Sequence, residues 1–161
     1  MTGRAIILIS LFTIAMTHTI KSQEPTKYSV LAIEYIGESD KPVTPIIISD
    51  SKAGATWYRD AVLKKSGSDL AYVHVVSAAL LESLMANVNA LKDTVQQKRE
   101  EKSRFSKTVA VSVVTPKRSS TFVFDTDPAV SLVERLQKSC DKNESLRSDL
   151  AHFRDRIRAW K

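Results

Sequence analysis

From residue 28 onward the chain alternates between short β-branched, aromatic runs and longer stretches in which apolar residues recur every three or four positions. Residues 28–36 (YSVLAIEYI) end at Gly37 and predict a strand. Pro45 opens a second short run, Ile46-Ile47-Ile48, which Ser49-Asp50-Ser51 closes. Residues 53–65 predict a helix on a partial stripe of Trp57, Ala61 and Leu63, stopped by Ser66-Gly67-Ser68. A third strand is predicted over 70–76 (LAYVHVV). Ser77 then stands as a helix cap before 78–99, where Leu81, Leu84, Val88, Leu91 and Val95 are spaced 3, 4, 3 and 4. That spacing predicts an amphipathic helix with one buried face and leaves Asn87 off the stripe.

Beyond the charged run 98–104, residues 107–115 and 120–125 are β-rich and flank Pro116-Lys117-Arg118-Ser119, the pattern of a hairpin with a four-residue turn. Asp127-Pro128 predicts the next helix start, with Asp127 as cap and Pro128 at the first helical position. Val130, Val133, Leu136 and Cys140 form its stripe. After a break at 141–144, Leu146, Leu150, Phe153 and Ile157 form another. The order is β-β-α-β-α-β-β-α-α. It predicts an α+β fold, a two-layer domain with a mixed sheet of about five strands and three to four helices. The second and third strands flank a helix and are expected to be parallel, and the hairpin antiparallel. No internal repeat and no dividing linker breaks the region 23–161, so a single domain is expected there.

The first 22 residues follow a different pattern. Arg4 precedes residues 5–16 (AIILISLFTIAM), which carry no charge, and a polar exit follows. That is the order of a secretory signal. The run to Ile20 spans about 24 Å as a helix, short of the ~30 Å hydrocarbon thickness. The expectation is a signal peptide over 1–22, cleaved to give a secreted or periplasmic protein with no transmembrane segment in the mature chain.

Composition narrows the chemistry. The whole chain has 161 residues, 43% of them hydrophobic, and a net charge of +6. Arg4 and Lys21 fall in the leader, which leaves 22 basic against 18 acidic residues and a net +4, a mild excess that does not point to nucleic acid. With four glycines in all, the chain lacks a phosphate-cradling loop. Cys140 is the single cysteine, so no intrachain disulfide can form. Its position on an apolar stripe predicts a buried, inert thiol.

No motif carries catalysis. Ser49-Asp50-Ser51-Lys52 and Ser139-Cys140-Asp141-Lys142 both match S-x-x-K without the accompanying motifs of that chemistry. The first reads as a strand-to-helix loop capped by Ser51. His74 and His152 are the only histidines after the leader, with His74 expected on the less buried sheet face. Asp125 and Asp127 are a close carboxylate pair outside the charged run and read as a strand exit and helix cap. No catalytic residue, cofactor or metal site is expected, and the reading leans away from an enzyme.

The basic residues hold more interest. Arg147, Arg154 and Arg158 recur on one helix face, Lys117 and Arg118 sit on the hairpin turn, and Trp160 lies one turn beyond Ile157. Trp160 is either tucked back onto the core or offered to a partner, and arginine beside an aromatic is the composition of an interface anchor, which makes these six a candidate surface for a protein partner or an anionic envelope component. Asn143-Glu144-Ser145 is a glycosylation acceptor pattern. The leading functional expectation is a non-enzymatic exported binding domain. A small secreted hydrolase and an accessory subunit of an envelope complex are the alternatives. Oligomeric state is not set by the sequence.

Overall fold

The computed structural model describes residues 27–36, 43–66, 69–96 and 107–159, with the side chains of 66 and 92–96 left aside. The elements are β1 (Val30–Ile36), β2 (Ile46–Ser49), α1 (Lys52–Ser66), β3 (Tyr72–Val75), α2 (Ala78–Gln96), β4 (Thr108–Val114), β5 (Ser119–Asp125), α3 (Thr126–Ser139) and α4 (Glu144–Arg158). The α+β class and the order of elements are those read from the hydrophobic pattern. The expected leader lies outside the described residues, as do Gly67 and the whole charged run 98–104. No described helix is long and apolar enough to cross a membrane.

Five strands form one mixed sheet in the order β3-β2-β1-β4-β5. β1 is flanked by antiparallel neighbours on both sides, with Val30 opposite Ser49 in β2 and Val114 in β4. β2 and β3 are parallel, as the β2-α1-β3 crossover required, with Ile46 beside Tyr72 and Ser49 beside Val75. β4 is buried on both faces, which explains its almost unbroken apolar run TVAVSVV. The β4–β5 turn is tighter than expected. Thr115 and Arg118 exchange both backbone hydrogen bonds, so Pro116 and Lys117 alone form the loop and Ser119 joins the strand.

The period-2 pleat sends alternate residues to two cores. Leu31, Ile33, Ile46, Ile48, Val109, Val111 and Phe124 face the layer built by α2, α3 and α4. Every described member of the stripes expected for α2, α3 and α4 lies there, including Leu84, Val88, Leu136, Cys140, Leu150 and Phe153. Val30, Ala32, Ile47 and Val114 face the other way and pack with Val62 and Tyr58 of α1. The side chain of Val95 is not described.

Two helices depart from expectation. In α1 the buried face runs through Gly54, Ala55, Tyr58 and Val62, while Trp57 and Ala61 are exposed. Gly54 allows this face to sit close to the sheet: a Cβ there would lie 2.6 Å from Tyr28 Cβ and 2.8 Å from Ser49 Oγ. α3 starts before the Asp127-Pro128 pair, at Thr126 with Asp125 as the cap residue, although the Asp125 side chain makes no capping bond. Pro128 is the third helical residue rather than the first, within the first turn, where its missing N–H costs no helix bond. α4 is capped by Asn143, whose side chain accepts a hydrogen bond from the Leu146 N–H.

Candidate functional site

Five of the six candidate surface residues, all but Trp160, are among the described residues. Arg154 donates from Nη1 to Gln137 Oε1 at 3.0 Å and from Nε to Asp155 Oδ1 at 2.9 Å. Arg158 pairs with Glu134. Two of the three helix arginines are therefore tied to α3 or to their own helix. Arg147 is exposed in the first turn of α4. Lys117 and Arg118 are exposed on the turn at the β4–β5 edge. α4 reaches β3, the edge of the sheet opposite β5, through Asp149. Trp160 lies outside the described residues.

α4 meets β3 through two histidines. His74 Nε2 lies 2.8 Å from Asp149 Oδ2, and the Tyr72 and His152 rings meet edge to face at 6.5 Å. His74 is 8% exposed, which corrects its expected position on the less buried face. The pleat places Tyr72 and His74 together on the helix-covered side, and a polar side chain there needs a partner. Asp149 supplies it from 75 residues away.

The same alternation leaves Val73 and Val75 on the other side of β3, 38% and 52% exposed. Leu70 just before the strand is 70% exposed. β3 ends the sheet order, and its four residues Tyr72–Val75 include no lysine, proline or glycine of the kind that blunts natural edges. The other edge differs: β5 exposes Ser119 and Thr121, and its phenylalanines turn toward the helices. Among the described residues β2 alone pairs with β3, and an apolar strand edge can accept a further strand through backbone hydrogen bonds. The sequence signal was ambiguous, because LAYVHVV is apolar on both faces and reads equally well as a central strand.

A polar cluster occupies the sheet face shared with α1. The Tyr58 hydroxyl is hydrogen-bonded to Ser112, and Ser112 Oγ lies 3.0 Å from Thr121 Oγ1. Burial pushes the Glu34 carboxyl above its ordinary range, and the Lys65 ammonium pulls it back. Burial also raises the Tyr58 hydroxyl, which the Ser112 bond opposes and the Glu34 charge reinforces. The chain of hydroxyls links α1 to β4 and β5. Sequence reading missed it, since its members come from three separate elements.

The S-x-x-K residues are structural. Ser49 Oγ donates to the Ser29 carbonyl at 2.8 Å, and Ser51 Oγ accepts from the Gly54 N–H at 3.0 Å, the cap expected of it. Cys140 is buried, 1% exposed, with its thiol pushed up to about 11 by burial first and by Asp141 second. Among the described residues no group of three or more His, Cys, Asp or Glu could hold a metal ion. Comparison with known proteins finds no matching family model, no similar sequence among curated proteins and no solved structure that matches.

Proposed function

We propose that the protein is a non-enzymatic binding domain that works outside the cytoplasm and receives an extended segment of a partner protein along the β3 edge. One observation carries the reading: the apolar side chains of Val73 and Val75 are exposed on the unblunted edge of the sheet. Backbone hydrogen bonds from such an edge supply affinity, and alternate side chains supply selectivity. The leader pattern of Arg4 and residues 5–16 supports the compartment. The hydrolase alternative draws on the His74–Asp149 pair. Among the described residues no serine is hydrogen-bonded to His74, so no observation supplies that alternative with a nucleophile.

The test replaces Val73 and Val75 with lysine, the residue natural edges use against pairing. Proximity cross-linking in the exported fraction should lose the partner captured by the unaltered protein, with the thermal melt preserved. Retention of that partner by a folded Val73→Lys/Val75→Lys protein overturns the edge reading. Export is checked separately by intact mass: a mature chain beginning between His18 and Gln23 supports it, and a mass beginning at Met1 overturns it.

A further inference from the structure

We propose that Asn143 is a glycosylation site that carries an N-linked glycan on its carboxamide nitrogen. The proposal rests on export, one half of the functional reading above, and is independent of the β3 edge. Asn143-Glu144-Ser145 is the single N-x-S/T triplet in the chain. The fold presents it well. The triplet begins in the short turn between α3 and α4, where the Asn143 N–H donates to the Cys140 carbonyl at 2.8 Å. Asp141, Lys142, Glu144 and Ser145 are all exposed, and Asn143 is half-buried.

The cap sets the orientation of the acceptor. Asn143 Oδ1 accepts from the Leu146 N–H at 3.1 Å, so the oxygen corner of the planar carboxamide faces the first turn of α4. Nδ2 takes the other corner and makes no hydrogen bond among the described residues. Capping and modification therefore use different atoms of one side chain, and the glycosylated residue can still cap α4. The donor is a lipid-linked oligosaccharide diphosphate. Nδ2 forms a bond to the anomeric carbon, the bond from that carbon to the diphosphate oxygen breaks, Nδ2 loses a proton, and the lipid diphosphate leaves.

The full chain is expressed in a eukaryotic secretory host, once with its own leader and once with a cleavable secretory leader placed ahead of residue 1. Secreted protein from the second arm should carry a mass gain that peptide:N-glycosidase removes, leaving an aspartate at position 143. Two variants locate it without disturbing the helix. Asn143→Asp keeps a capping oxygen, since Asp and Asn cap equally well, and Ser145→Ala leaves the capping residue untouched. Both should be secreted without the mass gain, while Ser145→Thr keeps it. Secreted protein from the second arm without a glycan, or a glycan that persists in Ser145→Ala, overturns the proposal. If the first arm alone stays in the cytosol, export by the native leader fails while the site itself is decided by the second.

Discussion

His74 of β3 and Asp149 of α4 stand 2.8 Å apart, joining the edge strand to the second turn of the last helix. His74 is nearly enclosed, so removing its partner strands a buried polar ring. Asp149→Asn and His74→Gln should each destabilise the fold by about 1–3 kcal/mol, the usual cost of a lost partner for a buried polar group. A double-mutant cycle in chemical denaturation should show the two effects to be coupled. Strict additivity would mean that α4 is held by its apolar stripe alone.

Leu84 is fully buried at the centre of the α2 stripe. Leu84→Ala should cost about 2–5 kcal/mol. Asn87, expected from its place off the stripe to be dispensable, donates to Ser83 O at 3.0 Å and to Ser139 Oγ at 3.1 Å, bridging α2 to α3. Its replacement by alanine should therefore cost about 1 kcal/mol rather than nothing. Denaturant melts of the two single variants check both numbers, and a neutral Asn87→Ala would remove the bridge as a contributor.

Gly54 offers a test of sign. In most helices Gly→Ala stabilises by up to about 1 kcal/mol. Here the added methyl would meet Tyr28 Cβ at 2.6 Å, an atom no rotamer change can move away. Overpacking of that kind costs about 1–3 kcal/mol, so Gly54→Ala should destabilise. A raised melting temperature would show that α1 can slide on the sheet.

Cys140 predicts a pH effect. Its thiol ionises at about 11 in the fold against 9.0 when free. Between those values the unfolded chain gives up the proton and the folded chain keeps it, so stability falls as pH rises from 9 toward 11. Below 9 the thiol is neutral in both states and the contribution is fully present. Cys140→Ala should flatten that part of the stability curve. Native protein at pH 8 should also resist alkylation, with labelling that tracks unfolding.

The pattern of residues along the chain was enough for the element types, their order and most of the helix faces. An amphipathic helix announces its buried side by spacing alone, as Leu146, Leu150, Phe153 and Ile157 do, and all four are buried. The parallel β2–β3 pair was legible too, because a crossover helix permits little else. What the spacing left open was which strand lies at an edge and which side chains meet across distant elements. Strand order depends on the summed burial of the whole sheet: β4 and β3 are similarly apolar, yet β4 sits between two neighbours and β3 has one. In α1 the large Trp57 suggested a face that the tertiary fold turned outward, because the close approach at Gly54 selected another side. The basic residues behaved alike in sequence and differ in their partners, with Arg154 and Arg158 held by Gln137, Asp155 and Glu134 and the turn residues Lys117 and Arg118 exposed. Local spacing reports which side of an element is apolar, while its neighbours are chosen by long-range packing, and both the β3 edge and the His74–Asp149 pair belong to that second kind of information.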